Sequence, residues 1–463
     1  MSTTKTTLTA LSPLDGRYSA KLTELASIFS DVALTKNRVL VEVEYLIFLS
    51  TKKLIGRFSA DQKRQLRSMV AQFSEVEAQQ VQEIERQTKH DVKAVEYFLR
   101  EYLKKNHLPN EASVHLCLTS EDVNSLAYGL MLAQGKEVLE EELSALLRQL
   151  ADFARDHRDV VMLARTHGQL AVPTTVGKEI AVFAQRLLTE LELLRTLKIE
   201  GKMTGAVGNL NAHTSAFTNE SMLSFSEEFV ASLGLTPNVV TTQILPPESY
   251  TRFFSSLVRC NGILLDLTQD CWRYISDSYF EQKLAPGQIG SSTMPQKINP
   301  IDFENSEGNL GLAQALLLHF IQKLPVSRLQ RDLSDSTVKR SIGSALGYCH
   351  LAYLSLRASI QKITVSPEKT SAMLQDHWEV VAEAYQVILR KNNVSDGYEQ
   401  LKTLTQGKQL SDDEARTWIG QLSVATDIKK ELASITPQTY IGQSVAITEL
   451  VLRRINTFFE RTA

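Results

Sequence analysis

The chain has 463 residues, of which 43% are hydrophobic and 22% are charged, and its formal net charge at pH 7 is −3. This composition is typical of a globular protein with two or three domains, and it excludes a general electrostatic attraction to nucleic acid or to an anionic membrane. No apolar run approaches the roughly 18 residues that a membrane-spanning helix needs.

The four cysteines and nine histidines show no metal-type spacing, so a catalytic metal is not expected. The N-terminus, Met1 to Leu11, is rich in threonine and has no apolar core of the kind found in a secretory signal. We therefore expect a cytoplasmic protein with reduced thiols.

Residues 1–112 are predicted to form an N-terminal helical domain. Its helices are expected near 32–55, 60–87 and 91–106. Before them, the turn Asp15-Gly16-Arg17-Tyr18 presents a guanidinium and a phenol that together could hold a phosphate or a carboxylate. The alternative interpretation is a surface turn whose arginine lies along the surface.

A second polar segment, Lys89-His90-Asp91-Val92, lies at the start of a predicted helix. Asp91 is expected to cap that helix, which explains the segment structurally. His90 then lies just before a helix N-terminus, where an anion would be stabilised.

Residues 113–363 are predicted to form a central domain of five long helices. The first runs from about Ser120 to Arg155, with apolar residues at spacings of mostly three and four. The third polar segment lies at the start of this helix, where Thr119 and Asp122 fit a capping box. Capping explains this segment fully, but it also leaves two hydroxyls at a helix N-terminus, where an anion could bind.

The fourth polar segment is Arg165-Thr166-His167-Gly168-Gln169, in a short loop predicted between the first and second long helices. Histidine is the side chain whose proton moves near neutral pH, so His167 is a candidate for acid–base chemistry. The alternative is that a histidine in a loop is incidental.

The other long helices of the central domain are expected to start near Pro173, Glu248, Pro300 and Ser336, and the last three to end near Tyr279, Lys323 and Lys362. Short extended segments are expected at Val160–Met162 and Val239–Thr242. Such long helices protrude beyond one globule and their apolar stripes need partners, so we expect a homo-oligomer with a shared helical bundle. Pro367 after Ser366 opens a C-terminal helical domain, 364–463, which completes an all-α fold of three helical domains.

The run from Gly290 to Pro300 places two serines, a lysine and an asparagine in a loop punctuated by glycine and proline. Asn299-Pro300 is typical of an N-cap followed by proline at the first helical position. Hydroxyls beside a cation and a helix N-terminus favour a site where an anion forms. The alternative is an ordinary linker between helices.

The fifth polar segment runs from Arg331 to Arg340. Ser336 and Arg340 are four residues apart and share a helical face. Together with Arg331 and backbone N–H groups they could cradle a phosphate. The alternative is a solvated charged turn, because two aspartates partly offset the positive charge.

These segments resemble a known group of enzymes. Residues 290–299 match the pattern Gly-Ser-Ser-x-Met-Pro-x-Lys-x-Asn that marks the fumarase/aspartase superfamily. The segments at 16–18, 89–92, 119–120, 165–169 and 335–340 are similar to those of the adenylosuccinate lyase family, and the likeness is greatest for its longer, bacterial-type members. It extends from about Ser12 to the C-terminal helices. The one departure is Lys339, where the family pattern has an apolar residue; this lysine either alters the surface near the phosphate site or points to solvent.

The resemblance implies a homotetramer with active sites built from more than one subunit. It implies elimination of fumarate from adenylosuccinate, giving AMP, and from the succinylated aminoimidazole carboxamide ribotide of purine synthesis. It also implies that no metal or organic cofactor takes part, because the substrate carboxylate accepts the developing charge. Nucleotide substrates and the other subunits are then the expected partners, without nucleic acid or membrane.

The resemblance also assigns roles. Ser291 is the candidate base and His167 the candidate acid, although the residue types alone leave these two roles interchangeable. Lys297, Asn299, Ser292, Thr119 and Ser120 are expected to hold the succinyl carboxylates. Arg17, Tyr18, Arg331, Ser336 and Arg340 are expected to hold the phosphate. His90 is expected to contact the phosphate or to support His167, and Gln243 and Asn305 to orient the substrate. The matching segments add Asp91, Val92, Ile298, Thr337, Val338 and Lys339 to the substrate-binding set.

Three other functions remain open from the sequence. The chain could be another lyase of the superfamily that acts on argininosuccinate or a simpler fumarate adduct, but the serine and arginine segment around Ser336 argues against it. It could be a helical scaffold without activity, which would have no need of the residues at 291, 297, 299 and 167. It could also be a regulator that binds AMP without turnover.

Overall fold

The computed structural model describes residues 7–218, 221–283, 290–291, 293–395 and 397–461. Most of these residues are helical, so the predicted all-α fold class is confirmed. The helices are α1 (Thr23–Phe29), α2 (Asp31–Thr51), α3 (Ala60–Ala71), α4 (Glu75–Thr88), α5 (Asp91–Lys105), α6 (Ser120–Asp156), α7 (Val176–Thr196), α8 (Asn211–Ala216), α9 (Met222–Ser232), α10 (Glu248–Ser276), α11 (Ile301–Lys323), α12 (Ser334–Lys339), α13 (Ile342–Lys362), α14 (Pro367–Gln375), α15 (Ala382–Lys391), α16 (Gly397–Thr405), α17 (Asp412–Gln421), α18 (Thr426–Ala433) and α19 (Ser444–Glu460).

Short strands and 3-10 turns connect the helices. The 3-10 turns are Thr7–Thr9, Ser19–Lys21, Glu111–Ser113 and Trp378–Val381. The strands are β1 (Val161–Thr166), β2 (Gln169–Thr175), β3 (Glu200–Gly201), β4 (Thr236–Pro237), β5 (Phe280–Gln282) and β6 (Ile363–Val365). Strands β1 and β2 pair antiparallel, as do β5 and β6, whereas β3 and β4 pair in parallel.

Contacts divide the chain into two compact units. The first unit comprises Met1–Glu142, Glu192–Asn261 and Gly308–Ala352, and the second comprises Leu143–Leu191, Gly262–Glu307 and Tyr353–Ala463. Five long helices, α6, α7, α10, α11 and α13, contribute residues to both. The division into three domains that the sequence suggests stays a prediction.

Two of the apolar clusters among the described residues of the first unit involve its N-terminal helices. One is formed by α2 to α5, with Leu46, Leu66 and Leu99 fully buried. The other joins the N-terminal turn and α1 to α6. At Gly135 of α6 a Cβ atom would lie 2.6 Å from the ring of Phe29, so glycine is required for this close packing.

The second unit contains the β1–β2 hairpin and the C-terminal helices. Helix α14 packs on β1, and α19 contacts β2. Inside this unit the guanidinium of Arg148 lies 3.9 Å from the ring centre of Phe459, a close cation–π contact.

Several predicted boundaries are wrong for identifiable reasons. The helix predicted at 60–87 is interrupted because Ser74 caps a new helix, in a capping box with Glu77. The helix predicted from Ser336 is divided into α12 and α13. The segment Val239–Thr242 is not a strand: the Asn238 side chain accepts a bond from the Val240 N–H, which turns the chain, and the short strand lies earlier, at Thr236–Pro237.

No helix among the described residues combines the length and the hydropathy needed to cross a bilayer.

Candidate active site

The first unit contains a cavity of about 560 Å³ that brings together seven of the predicted substrate-binding residues. These are His90, Asp91, Thr119, Ser120, Gln243, Arg331 and Ser336. The remaining lining residues are Asn124, Ala206, Val207, Leu329, Gln330, Asp332 and Leu333. Hydroxyls, amides, an imidazole and a guanidinium therefore converge from four separate segments of the chain. We call this space the nucleotide cavity, after the ligand that the family resemblance implies.

One wall of the nucleotide cavity is fixed by the buried carboxylate of Asp122. Its Oδ2 accepts from the Thr119 N–H at 2.9 Å, which is one half of the predicted capping box. Its Oδ1 accepts from the backbone N–H groups of Thr204 at 3.0 Å and Gly205 at 3.1 Å, and it lies 2.8 Å from Lys202 Nζ. The start of α6 and the loop that contains Thr204 and Gly205 are thus held by one side chain.

The segment before Thr119 is anchored by a second buried carboxylate. His115 Nδ1 lies 2.5 Å from Glu42 Oε1, and the His115 backbone N–H donates to Glu42 Oε2 at 3.2 Å. Burial lowers the pKa of His115, but the hydrogen bond and charge of Glu42 outweigh it and raise the pKa above its usual value. Tyr45 also donates to the Leu116 carbonyl at 2.9 Å.

Arg331 is held at the cavity wall by two contacts. Its Nη1 donates to Gln243 Oε1 at 3.1 Å, and its Nη2 lies 3.1 Å from Glu121 Oε2. Gln243 in turn donates to the Ala206 carbonyl at 2.9 Å. The Nε–H of Arg331 is buried and has no acceptor among the residues that the structure describes. The guanidinium is therefore held in place, with one buried donor left unsatisfied.

Lys339 lies behind this wall and does not line the cavity. The alternative in which Lys339 points to solvent is wrong. Its side chain is 11% exposed, and Nζ lies 3.0 Å from Glu121 Oε1 and 2.8 Å from Asp335 Oδ2. Burial lowers the pKa of Lys339, but Glu121 and Asp335 outweigh it and raise the pKa above its usual value. Of its neighbours on α12, Thr337 is exposed and Val338 is half-buried. Neither of these lines the nucleotide cavity.

Asp91 links the cavity to two arginines. Arg38 Nη2 donates to its Oδ2 at 2.6 Å, and Arg340 Nη2 lies 3.4 Å from the same oxygen. Burial raises the pKa of Asp91, but Arg38, the Val92 N–H and Arg340 outweigh it and lower the pKa. The N-cap of α5 is His90, whose Nδ1 accepts from the Lys93 N–H at 3.2 Å, so the predicted cap at Asp91 is wrong by one residue. Val92 is 1% exposed and packs inside the unit.

The turn that carries Arg17 and Tyr18 lies outside the nucleotide cavity. The Arg17 guanidinium is 6.0 Å from the ring centre of Tyr18. The flanking residues Asp15 and Ser19 line a different cavity of about 460 Å³, and Arg340 is part of the same lining.

In the second unit, His167 occupies the tip of the β1–β2 hairpin, not a plain loop between helices. Thr166 pairs with Gln169, and the two residues between them have positive φ, 53° at His167 and 74° at Gly168. This is the signature of a two-residue type I′ turn. The turn exposes the imidazole. Arg165 Nε, at the base of the turn, lies 3.0 Å from Asp277 Oδ2.

The loop with the superfamily pattern also belongs to the second unit. The Asn299 N–H donates to the Gly290 carbonyl at 3.2 Å, and a Cβ atom at Gly290 would lie 2.7 Å from the Lys297 carbonyl, so this closure requires glycine. Within the loop, the Met294 N–H donates to Ser291 Oγ at 3.2 Å. A backbone N–H on this oxygen favours its anionic form.

The other predicted residues of this loop differ in exposure. Lys297 is exposed, and Ile298 accepts through its carbonyl from Gln282 Nε2 at 2.7 Å. Helix α11 begins at Ile301, so the N-cap predicted at Asn299 is displaced. Asn305 accepts from Ser355 Oγ at 2.8 Å through its Oδ1. Ser292 lies outside the described residues.

Sequence reasoning missed several residues of the site. Asn124 was detectable, because it lies four residues after Ser120 and so faces the same side of α6. Its Oδ1 accepts from Arg38 Nε at 2.8 Å. Arg38 and Lys202 carry no local signal, since their partners lie far away in the chain.

Among the described residues, no group of three or more His, Cys, Asp or Glu side chains is arranged to hold a metal ion.

Comparison with known proteins gives two family matches. The family described as lyase matches residues 16–316, and the family described as adenylosuccinate lyase C-terminal matches residues 327–441. The chain is 47% identical to adenylosuccinate lyase of Haemophilus influenzae, over 96% of this chain and 98% of that protein. It is 44% identical to adenylosuccinate lyase of Escherichia coli K12, with the same coverage.

A solved structure shares the fold at low sequence identity. It is the 3-carboxy-cis,cis-muconate lactonizing enzyme of Pseudomonas putida, with a TM-score of 0.77, 18% identity, and coverage of 94% of this chain and 97% of that one. At this identity the likeness shows the fold alone.

Proposed function

The chain belongs to the adenylosuccinate lyase family of C–N lyases, and from this premise we propose that it eliminates fumarate from adenylosuccinate, giving AMP. We extend the proposal to the succinylated aminoimidazole carboxamide ribotide, a second step of purine nucleotide biosynthesis. The observation that carries the proposal is the 47% identity to an adenylosuccinate lyase along 96% of this chain.

The nucleotide cavity supports binding of the AMP portion of the substrate. Arg331, Ser336 and the hydroxyls at the start of α6 offer donors to a phosphate or a carboxylate. A helix N-terminus adds a partial positive charge there. Arg340, Arg17 and Tyr18 stay in the proposed phosphate-binding set, although none of them lines this cavity in the single chain.

The reaction needs a base, an acid and stabilisation of negative charge. Ser291, as the proposed base, removes a proton from the carbon next to a succinyl carboxylate, and the C–N bond then breaks to give fumarate. The Met294 N–H that donates to Ser291 Oγ supports this role, because it stabilises an alkoxide. Lys297, Asn299 and Ser292 match the developing charge on the carboxylate.

His167 is the proposed acid. It gives a proton to the purine-side nitrogen as that nitrogen leaves. The exposed tip of the β1–β2 hairpin supports this role, because an imidazole there is accessible to a substrate. His90 supports His167 or contacts the phosphate, and Gln243 and Asn305 orient the substrate. Closure of the 290–300 loop over the substrate would exclude water and deliver Ser291.

We also propose a cytoplasmic homotetramer with three helical domains per chain and active sites shared between subunits. Large apolar side chains on the long helices support self-association, because they stay exposed in the single chain. They include Val182, Leu193, Leu312 and Leu318.

One assay tests the proposal. Purified protein should cleave adenylosuccinate with a matching appearance of AMP and fumarate, measured by absorbance and chromatography. Argininosuccinate, at the same concentration, should not react. Cleavage of argininosuccinate would identify the protein as another lyase of the superfamily. Binding of AMP without cleavage of adenylosuccinate would identify it as a regulator.

A further inference from the structure

Four charged side chains pack together at and behind one wall of the nucleotide cavity. They are Glu121, Asp335, Lys339 and Arg331, here called the charge quartet. Glu121 is the central member, since one of its oxygens faces Lys339 and the other faces Arg331. Arg331 is the one member of the quartet among the residues that line the cavity. Glu121 is 1% exposed and Asp335 is 6% exposed, so most of the quartet is shielded from water.

The charges of the quartet cancel, because two carboxylates face two cations. Shielding from water strengthens electrostatic interactions, so a net charge on the quartet would change the electrostatic potential in the adjoining cavity. An apolar residue at 339, as the family pattern predicts, would leave one excess negative charge behind Arg331. An excess of this sign would oppose the binding of a phosphate.

Glu121 shows how Lys339 acts on Arg331. Without Lys339, the whole attraction of this buried carboxylate would fall on the Arg331 guanidinium. With Lys339 in place, Glu121 is shared, and Arg331 keeps a buried Nε–H with no acceptor in the described part of the chain. A guanidinium at the cavity wall whose counter-charge is balanced suits a phosphate oxygen.

We propose that Lys339 is a positioning residue that balances the charge of Glu121 and Asp335 from behind the cavity wall, and so leaves Arg331 able to bind a phosphate. This replaces the direct substrate contact that the sequence suggests for Lys339. The identity of the phosphate compound rests on the proposed function, whereas the charge balance does not.

Two substitutions of opposite sign test this inference. Asp335→Asn removes a negative charge from the quartet, so the affinity for AMP and for inorganic phosphate should rise several-fold. Lys339→Met removes a positive charge, so both affinities should fall about tenfold, the scale expected for one buried charge. The measurement is isothermal calorimetry on the full-length protein. Circular dichroism and thermal melting confirm folding.

A double variant separates positioning from direct contact. In Asp335→Asn with Lys339→Met the quartet is neutral again, so phosphate affinity should return close to that of the wild type. If Lys339 touches the ligand, the double variant stays as weak as Lys339→Met, and the inference is overturned. Weaker or unchanged binding by Asp335→Asn also overturns it, even if Lys339→Met fails to fold.

The control is Glu140→Gln, which removes a carboxylate from another ion cluster, formed with Lys136 and Arg195. It should leave both affinities unchanged. A wild-type protein that binds phosphate but not AMP, and does not cleave adenylosuccinate, contradicts the proposed function alone. A wild-type protein that binds neither ligand contradicts both proposals.

Discussion

Ser291 is the residue on which the proposed chemistry depends most. A serine hydroxyl is a weak acid, so it acts as a base only if its anion is stabilised. The one backbone donor described at its Oγ comes from Met294, within the same loop. The loop therefore carries both the oxygen proposed to react and a donor that stabilises its anion.

Replacing Ser291 by alanine should lower kcat by about 10²–10⁴, because a positioned base contributes this much. KM should change little, since other residues hold the substrate. Steady-state kinetics with adenylosuccinate measures both values. Thr293→Ala, an exposed hydroxyl two residues away, is the matched control and should remain active. Near-normal turnover of the Ser291 variant would remove this residue from the role of base.

His115 gives a prediction about pH. Its pKa is raised in the folded protein above the usual 6.5, chiefly because Glu42 outweighs the effect of burial. Its contribution to stability is therefore fully present below pH 6.5 and is lost as pH rises through the folded-state pKa. His115→Asn keeps a residue type that tolerates the positive φ at this position, 61°, and should flatten that part of the pH dependence.

Melting temperatures measured from pH 6 to pH 9 check this expectation. His107→Asn is the control, since this exposed histidine also has a positive φ but has no carboxylate contact among the described ion pairs. A profile of His115→Asn that parallels the wild type would show that the Glu42 contact does not couple folding to pH.

At the scale of elements, two loops form one wall of the nucleotide cavity because their backbones touch. Thr204 and Thr241 are joined through their hydroxyl oxygens at 2.6 Å. At Gly208, which has a φ of 87°, a Cβ atom would lie 2.1 Å from the Thr241 carbonyl oxygen. Only glycine fits this crossing.

Gly208→Ala should therefore destabilise the protein and raise KM, since Ala206 and Gln243 flank the crossing and line the cavity. Gly234→Ala is the matched control, because Gly234 also has a positive φ, 82°, but has no atom within 4 Å of the added Cβ. The control should cost roughly 1–2 kcal/mol from backbone strain alone. Urea unfolding and KM measure the difference, and equal effects of the two variants would contradict the steric account.

The elements differ in how far the sequence could predict them. Helix α6 follows from its apolar period, and its predicted end is one residue from the observed one. The β1–β2 hairpin was predicted as a loop, because only Val160–Met162 gives an extended signal and His167-Gly168 is an uncommon turn pair. Strand β2 continues through Pro173 to Thr175, so α7 starts three residues later than expected.

At the scale of the whole molecule, the site is predictable only in part. Seven predicted residues meet in the nucleotide cavity, because each belongs to a segment that joins polar groups to a helix start or a turn. The contacts that hold these segments together, such as Lys202 with Asp122, join residues far apart in the chain. No local pattern carries that information.

The proposed sharing of active sites predicts complementation between two inactive variants. If the proposed tetramer forms, Ser291→Ala subunits mixed with His167→Ala subunits should regain some activity, because some sites would then take both intact residues from different chains. Activity after joint refolding measures the effect. Mixing Ser291→Ala with subunits that carry both Ser291→Ala and His167→Ala is the control and should restore nothing, since no subunit then supplies the serine. A mixture as inactive as its parents would contradict sharing of these two residues.

The residues with proposed roles in phosphate binding and in catalysis fall into different contact units of the chain. Every residue assigned to the phosphate belongs to the first unit, whereas His167 and the described residues of the 290–300 loop belong to the second. A relative that releases fumarate from a different amine could therefore arise through mutations in the first unit alone. His167 and Ser291 would then be retained. In the evolution of such an enzyme the leaving group would change, while the acid and the base of the elimination would stay the same.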